Sequence, residues 1–205
     1  MRRGFTLIEM LVVIGIIAIL VAAGITGYDA AIKKAQNAKL VELVHEVQTA
    51  LSVVYQRDGG TWPSKILAAC VGDSPRVDAE VGAVLAKRGV MSFSYRKEEN
   101  KKDATTRYVL TDVNKFGLVT PWAEEVIKKN LKNGRVSLTT KVPTGGTVED
   151  HLLRFAIDDD GDGIVKLSEA PSGVRASVCV WSAGRDGRFG TKDDVKSWAE
   201  GQVVR

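Results

Sequence analysis

The chain has 205 residues, of which 44% are hydrophobic and 26% charged, a composition that excludes disorder along the whole length. Its two cysteines are too few for a disulfide framework or a four-cysteine zinc site. The net charge of +4 is too small a bias to predict a nucleic-acid partner. Since the sequence holds only one long apolar run, a polytopic membrane protein is also excluded.

That run covers residues 5–28, and every residue from Met10 to Ala23 is apolar or glycine. As a helix the run would extend about 36 Å, more than the ~30 Å hydrocarbon core of a bilayer. Two arginines precede it, so we expect a membrane-spanning helix with a cytoplasmic start. A cleaved secretory signal peptide and a plain membrane anchor are the alternatives. Neither accounts for Glu9, because a carboxylate inside an apolar span costs on the order of 3 kcal/mol.

The residues around Glu9 resemble a known processing signal. Gly4 followed by Phe5-Thr6-Leu7-Ile8-Glu9 is similar to the amino-terminal signal of type IV pilins and pseudopilins. The resemblance implies that residues 1–4 are a leader peptide, that a prepilin peptidase cleaves after Gly4, and that the new terminus at Phe5 is methylated. It also implies that Glu9 neutralises the terminal amine of a neighbouring subunit while a helical homopolymer assembles. A buried charge is expected to be paired in this way.

From residue 29 the sequence becomes amphipathic. Apolar side chains recur at steps of three and four, which predicts one buried helical face: Leu40, Val44, Val47, Leu51 and Val54. We expect one long helix that continues from the apolar run to about Gln56, where Asp58-Gly59-Gly60 ends it. Residues 29–57 are then the amphipathic second half of this helix, packed on a head domain over residues 58–205.

The head is predicted to be an α+β domain with an antiparallel sheet, because helices and strands alternate with short hairpin links. The expected helices cover 64–69, 77–87 and 121–132, and the expected strands cover 91–95, 107–111, 136–142, 152–157 and 177–182. A charged loop is expected over 96–103 as a hairpin tip. His45 and His151 are expected to be partly exposed rather than to bind a ligand.

An acidic loop over residues 158–169 fits the sequence-constrained positions of a twelve-residue EF-hand loop. Its spacing predicts a bound calcium ion whose ligands are Asp158, Asp160, Asp162, the carbonyl of Ile164 and Glu169. Gly163 permits the tight bend that six to eight oxygen ligands require. Pro171 leaves little room for an exiting helix, so we expect a rigid structural ion rather than a sensor. A metal-free turn rich in aspartate and glycine is the alternative.

A second acidic loop over residues 182–198 resembles the carboxy-terminal calcium loop of major pseudopilins. The shared pattern is Ser-x-Gly-x-Asp-Gly, followed by an Asp-Asp pair and a tryptophan. The resemblance implies carboxylate ligands from Asp186, Asp193 and Asp194. Further oxygens would come from Ser182 and Thr191. The alternative is an unliganded loop that Trp198 anchors.

The resemblance at both ends of the chain implies a structural subunit of a type II secretion pseudopilus, similar to the major pseudopilin. It implies a single-pass protein of the bacterial inner membrane with its head in the periplasm. The implied partners are the prepilin peptidase, an inner-membrane assembly platform and minor pseudopilins. A surface type IV pilin for adhesion, motility or DNA uptake is one alternative, and a membrane-anchored calcium-binding enzyme or sensor is another. An enzyme is not expected, since the sequence holds no nucleophile elbow, phosphate loop or zinc motif.

With this orientation, the two cysteines would lie outside the cytoplasm, where disulfides persist. Cys70 and Cys179 are far apart in the sequence, so a bridge between them would close a large loop. Cys179 lies on an expected strand, where alternate residues face the core. A disulfide and two buried thiols are both open at this point.

Overall fold

The computed structural model describes residues 6–70, 75–91, 95–100, 105–110, 114–131, 133–167 and 170–204, with the side chains of 23–27, 95–100, 105–110 and 200 left out. The chain divides into two compact units, Met1–Ala38 and Lys39–Arg205. The helices are α1 (Leu7–Arg57), α2 (Ser64–Ala69), α3 (Ala79–Lys87) and α4 (Pro121–Leu131). The strands are β1 (Tyr95–Asn100), β2 (Thr105–Leu110), β3 (Arg154–Ile157), β4 (Ile164–Leu167), β5 (Ala170–Arg175), β6 (Val178–Ser182) and β7 (Val195–Lys196). The predicted α+β class and the long first helix are confirmed.

The second part of α1 carries the buried face that its periodicity predicts. The five apolar side chains of that face are each at most 1% exposed: Leu40, Val44, Val47, Leu51 and Val54. The helix ends at Arg57, and glycines with positive φ follow it, as the turn residues predict. Beyond the turn, the rings of Tyr55 and Trp62 stack with centroids 4.7 Å apart. The Trp62 indole then donates to the carbonyl of Asp158 at 2.9 Å, which connects the end of α1 to the first acidic loop.

Two short helices and a hairpin follow α1. Asp78 caps α3, because its carboxylate accepts from the backbone amides of Glu80 and Val81 at 2.9 and 3.0 Å. The strands β1 and β2 pair antiparallel, with Tyr95 opposite Leu110 and Asn100 opposite Thr105. A hairpin was expected here, but the strand lies later than predicted. Residues 96–100 belong to β1, so the connection is shorter than the predicted loop over 96–103.

The main sheet has the order β3-β6-β7, and both pairs are antiparallel. All five residues of β6 are buried, because each face of the sheet covers a separate core. Val178 and Val180 face the core built with α1 and the other helices. Cys179 and Trp181 alternate with them and face a second cluster under the β4-β5 hairpin and the chain end. Because both faces of β6 are buried, this strand is held firmly in the head. The two acidic loops lie at its two ends.

The strand predicted over residues 136–142 is wrong. Val136 and Val142 are buried as expected, but the backbone between them makes a turn. The amide of Ser137 donates to the Thr140 hydroxyl at 2.8 Å, and the Thr140 amide donates back to the Ser137 carbonyl at 3.1 Å. The strands β4, β5 and β7 were not predicted from the sequence. None is longer than six residues, so they carry little periodic signal.

Candidate functional site

The first described residues form a capping box at the start of α1. The backbone amide and the hydroxyl of Thr6 each donate to the Glu9 carboxylate at 2.8 Å. The Glu9 amide donates to the Thr6 hydroxyl at 3.2 Å, so the two residues satisfy each other's polar groups. Gly4 and Phe5, between which cleavage is predicted, lie outside the described residues. Within one subunit, the partner of the Glu9 carboxylate is therefore its own helix start.

The apolar part of α1 has an exposed surface. Its large apolar side chains between Leu7 and Val21 are 44–82% exposed. Across the residues that the structure describes, no helix combines the length and the apolar content needed to cross a membrane. The membrane span over residues 5–28 stays a prediction, and residue 5 and the side chains of 23–27 are outside the described residues.

The first acidic loop connects β3 to β4 and is held in shape by Asp158. One carboxylate oxygen of Asp158 accepts from the Gly161 amide and the other accepts from the Gly163 amide, each at 2.8 Å. Gly163 has φ +79°, so the tight bend predicted at this residue is present. The amide of Ile164 donates to Asp162 at 2.7 Å, where β4 begins. The loop is thus folded around its own aspartates.

This folding brings three carboxylates together. One oxygen from each of Asp158, Asp160 and Asp162 lies within 4.8 Å of the others. In the described part of the chain, no other set of three acidic, histidine or cysteine side chains is this close. Hard oxygen ligands at this spacing are the donors that calcium prefers. The predicted ligand Glu169 lies outside the described residues, and Ile164 opens β4 next to the three carboxylates.

The ammonium of Lys166 neutralises part of this cluster. It lies 2.9 Å from an oxygen of Asp160 and 3.6 Å from an oxygen of Asp162. Its hydrogen bond, together with the amide of Asp162, lowers the pKa of the Asp160 carboxyl. The same contact raises the pKa of Lys166. The cluster therefore has a cation bound to it from within the chain.

The second acidic loop uses its carboxylates as backbone acceptors. Asp193 accepts from the amides of Arg185 and Asp186 at 2.6 and 3.1 Å and from the Thr191 hydroxyl at 2.6 Å. Burial alone would raise the pKa of Asp193, but these hydrogen bonds hold it below its ordinary value. Asp194 accepts from the Gly190 amide at 2.7 Å, and burial raises its pKa.

The three predicted carboxylates of this loop do not converge as those of the first loop do. Asp186 accepts from the Arg188 amide at 2.8 Å and thus closes a turn of its own. Ser182 behaves differently from the other predicted ligands. Its side chain is fully buried, and the hydroxyl has no hydrogen-bond partner among the described residues. A buried hydroxyl oxygen without a partner fits a ligand position. The carboxylates of Asp186, Asp193 and Asp194, by contrast, already accept hydrogen bonds from the protein.

Apolar contacts anchor the same loop. The Trp198 ring meets Trp181 edge-on with centroids 5.8 Å apart. The guanidinium of Arg154 lies 3.7 Å from the centre of the Phe189 ring. These aromatic contacts help to fix the loop on the main sheet. This part of the alternative proposed from the sequence, an anchor at Trp198, is confirmed.

His151 is fully buried, which corrects the expectation that it is partly exposed. Its Nε2 lies 2.9 Å from the Gly145 carbonyl and its Nδ1 lies 2.7 Å from the Thr120 hydroxyl. Since a carbonyl only accepts, Nε2 carries the proton and Thr120 donates to Nδ1. Burial lowers the pKa of the ring, which stays neutral near pH 7. The sequence could not reveal this role, because Thr120 is 31 residues away and the Gly145 carbonyl reaches the ring only through the folded turn. His45 is exposed, as predicted.

The turn at Gly145, whose carbonyl bonds His151, also lies against the backbone of the second acidic loop. A Cβ added to Gly145 would overlap the carbonyl oxygen of Asp186. A Cβ added to Gly187 would lie 2.9 Å from His151 Nε2. The turn at Gly145 and the turn at Gly187 thus touch backbone to backbone, with the imidazole beneath them.

Both cysteines are free thiols. Cys70 is half-buried against the main core, and Cys179 is buried in the second cluster. Burial raises the pKa of each thiol to about 12, and the Asp159 carboxylate adds to this effect at Cys70. Of the two options left open by the sequence, the structure has two unpaired thiols.

Comparison with known proteins adds three relatives. Residues 1–25 match the family described as the prokaryotic N-terminal methylation motif. The prepilin peptidase-dependent protein D of Escherichia coli (strain K12) is 36% identical over 104 residues, 48% of this chain and 67% of that protein. The type IV major pilin protein PilE of Neisseria gonorrhoeae is 26% identical over 154 residues, 74% of this chain and 92% of that protein. A fimbrial protein of Neisseria meningitidis serogroup A is 33% identical over 93 residues, which are 45% of this chain and 54% of its own length.

No solved structure gave a significant match. The matched motif contains the Thr6–Glu9 capping box and most of the apolar part of α1. The names of the relatives agree with the resemblance noted at Gly4 and the residues after it. The long first helix and the antiparallel head are those expected of a pilin fold. The chain therefore belongs to the type IV pilin-like family.

Proposed function

We propose that this chain is a structural subunit of a type II secretion pseudopilus that polymerises through the first part of α1. The observation that carries the proposal is the exposed apolar surface between Leu7 and Val21, which lies within the matched methylation motif. Apolar side chains that are 44–82% exposed gain free energy when a second copy covers them. No catalytic role is proposed.

In this proposal a prepilin peptidase cleaves between Gly4 and Phe5 and the new terminus is methylated. The subunit stays in the bacterial inner membrane until assembly, with its head in the periplasm. An assembly platform and minor pseudopilins are its other partners. Glu9 then exchanges its Thr6 contacts for the terminal amine of a neighbouring subunit. A charge-assisted hydrogen bond to an amine would replace two bonds to neutral groups.

We further propose that calcium stabilises the head. The support for the first loop is the set of three carboxylates within 4.8 Å. The Ile164 carbonyl and Glu169 would complete the ligand set. Lys166 would leave the cluster when the ion enters, because both are cations at the same oxygens. The support for the second loop is the buried Ser182 hydroxyl that lacks a partner among the described residues. Asp186, Thr191, Asp193 and Asp194 would join it after releasing backbone amides.

The second candidate function is a surface type IV pilin. The observation that favours it is the naming of the relatives, of which two are a type IV major pilin and a fimbrial protein. The resemblance of residues 182–198 to the pseudopilin calcium loop favours the first candidate instead. The two candidates share the α1-mediated filament and differ in where that filament is found.

Gene deletion in the native bacterium separates the two candidates. We expect loss of protein secretion into the medium, with no change in surface filaments counted by electron microscopy. Loss of surface filaments with normal secretion would favour the surface pilin. Complementation with Glu9→Gln should give a processed protein that does not assemble, whereas Glu42→Gln on an exposed part of α1 should restore secretion. Equal complementation by both variants would contradict assembly through Glu9.

Calcium is tested by calorimetry on the full-length chain in detergent solution. We expect two bound ions per chain, one abolished by Asp160→Asn and the other by Asp186→Asn. Glu149→Gln is the control, because this carboxylate is paired with Arg76 at 2.5 Å and belongs to neither loop. A single bound ion per chain, lost only in the Asp160→Asn variant, would restrict calcium binding to the first loop. No heat of binding at millimolar calcium would refute the calcium proposal and leave the filament proposal standing.

A further inference from the structure

Three polar side chains are fully buried among the residues that the structure describes: Thr120, His151 and Ser182. Two of them bond each other, since the Thr120 hydroxyl lies 2.7 Å from Nδ1 of His151. Their backbones are joined as well, because the Thr120 amide donates to the His151 carbonyl at 2.9 Å. Burying polar side chains costs free energy unless each polar atom is bonded, and an apolar side chain would avoid that cost. The buried pair therefore favours a role beyond filling the core.

The other ring nitrogen of His151 holds a turn of the backbone. Its Nε2 donates to the Gly145 carbonyl at 2.9 Å. The turn is closed by two backbone bonds, from the Gly145 amide to the Val142 carbonyl at 3.0 Å and from the Val142 amide to the Gly146 carbonyl at 3.1 Å. The imidazole therefore links Thr120, the residue before α4, to this closed turn.

The same turn lies directly against the second acidic loop. A Cβ on Gly145 would overlap the carbonyl oxygen of Asp186. A Cβ on Gly187 would lie 2.9 Å from His151 Nε2 and 3.2 Å from the Gly145 carbonyl oxygen. The backbone of the loop thus has no room to move toward the turn or the ring. A hydrogen bond that fixes Gly145 therefore also limits where the Asp186-Gly187 backbone can lie.

Different contacts place different parts of this loop on the head. Hydrogen bonds from its carboxylates to its own amides shape the loop but do not place it. Aromatic contacts place the later part, at Phe189 and Trp198. The earlier part, at Asp186-Gly187, lies instead against the turn that His151 holds.

We propose that His151 is the positioning residue of the second acidic loop. Its bond to the Gly145 carbonyl holds the turn on which the Asp186-Gly187 backbone rests, and the Thr120 hydroxyl holds the ring. The loop thereby keeps its shape with no metal bound. The consequence for calcium rests on the calcium proposal above. An ion at Asp186 would meet a backbone that is already in place, which lowers the conformational cost of binding.

Two substitutions of His151 separate the roles of its two ring nitrogens. A glutamine places its amide nitrogen near the position of Nε2, so it can still donate to the Gly145 carbonyl. An asparagine places its oxygen near the position of Nδ1 and is too short to reach that carbonyl. His151→Gln is therefore the conservative variant, and His151→Asn is the test variant. His45→Asn, the same change at an exposed position, is the control and should leave the loop unchanged.

Amide hydrogen exchange is measured on the full-length chain in detergent solution with chelator present. The amides that follow the second loop are those bonded to its carboxylates: Arg185, Asp186, Arg188 and Gly190. We expect them to exchange about 10-fold faster in His151→Asn, as for the loss of one hydrogen bond, and within about 3-fold of wild type in His151→Gln. The Gly161 and Gly163 amides of the first loop should keep their wild-type rates in both variants.

Two exchange results would overturn the proposal. One is an unchanged rate at the second loop in His151→Asn. The other is equal acceleration in both loops, because the ring would then stabilise the head as a whole. If His151→Asn does not fold, Thr120→Val takes its place, since it removes the donor to Nδ1 and should also accelerate exchange in the second loop alone.

Calorimetry tests the consequence for calcium separately. The ion that Asp186→Asn abolishes should bind about 10-fold more weakly to His151→Asn, and the ion in the first loop should bind as in wild type. Unchanged affinity at the second loop would contradict a calcium site that His151 positions. If the wild type binds no calcium, the calcium proposal fails, and the exchange rates still decide whether His151 positions the loop.

Discussion

The two acidic loops have the same residue types and use them in opposite ways. In the first loop, the oxygens of Asp158, Asp160 and Asp162 lie within 4.8 Å of one another, and the cation that neutralises them is Lys166. In the second loop, Asp193 and Asp194 accept from backbone amides, and the described carboxylates there form no set of three within that distance. Trp198 and Phe189 fix that loop on the sheet.

The difference follows from what surrounds each loop. The first loop is largely exposed, so its carboxylates gather without close packing and remain open to a cation. The second loop is pressed against the turn at Gly145 and against His151, so its carboxylates must satisfy the amides of a packed backbone. We infer that the first loop is built to exchange cations and the second to hold a shape. Four measurements can break or sharpen this distinction.

The largest effect is expected from alanine at two glycines with positive φ, one in each loop. A Cβ on Gly184, at φ +61°, would overlap the Asp193 carbonyl, so Gly184→Ala should lower the free energy of unfolding by about 3 kcal/mol. A Cβ on Gly161, at φ +75°, meets nothing within 4 Å, so Gly161→Ala should cost only about 1 kcal/mol. Urea denaturation of the full chain measures both. Equal costs would mean that the second loop is not packed as described.

The next effect separates the carboxylates. With chelator present, Asp193→Asn should lower the free energy of unfolding by about 2 kcal/mol, because the two backbone amides lose a charged acceptor and the Thr191 hydroxyl loses the oxygen that it bonds. Asp160→Asn should leave it nearly unchanged, because its pair with Lys166 is exposed. The same denaturation experiment compares the two variants. A larger loss for Asp160→Asn would reverse the assignment of the structural loop.

A third effect is pH dependence. Burial lowers the pKa of His151 in the folded state, so the unfolded chain binds the proton more readily. Stability is therefore complete above the unfolded pKa of about 6.5 and falls as the pH drops below it. We expect a loss of about 1 kcal/mol between pH 6.5 and 5 relative to His151→Gln. His45→Gln, at an exposed position, should follow the wild-type profile. Identical profiles for wild type and His151→Gln would contradict the buried neutral ring.

The smallest effect on stability is expected at Lys166. Lys166→Gln removes an exposed ion pair and should leave the free energy of unfolding nearly unchanged. The same change should strengthen calcium binding several-fold, because the ion no longer displaces an ammonium. Calorimetry on the two proteins measures this ratio. Weaker binding by the variant would show that Lys166 assists the ion rather than competing with it.

Local patterns predicted much of this architecture. The spacing from Leu40 to Val54 predicted the buried face of α1, and Gly163 predicted the bend of the first loop, because both depend on neighbours in sequence. The strand over 136–142 was predicted from its valines, but Thr140 closes a turn between them. The hydrogen bond from the Ser137 amide to the Thr140 hydroxyl stabilises a turn, although the buried valines fit the pattern of a strand.

Long-range contacts could not be predicted in the same way. The buried ring of His151 bonds the Thr120 hydroxyl, 31 residues earlier in the chain, and the Gly145 carbonyl across a turn. The burial of Cys179, on the face of β6 that covers the second cluster, also depends on the β4-β5 hairpin, which was not predicted. The spread of Asp186, Asp193 and Asp194 depends on amides that only the folded turn presents. Composition alone does not specify these partners.

The backbone contact between Gly145 and Asp186 limits how the protein can change over generations. When two side chains clash, a second mutation that shortens either one can restore the fit. Here the atom opposite the glycine is a carbonyl oxygen, which every amino acid carries. A substitution at Gly145 should therefore have few intragenic suppressors at its contact point, and reversion to glycine should dominate among recovered variants. This turn is thus a place where the chain has little freedom to drift.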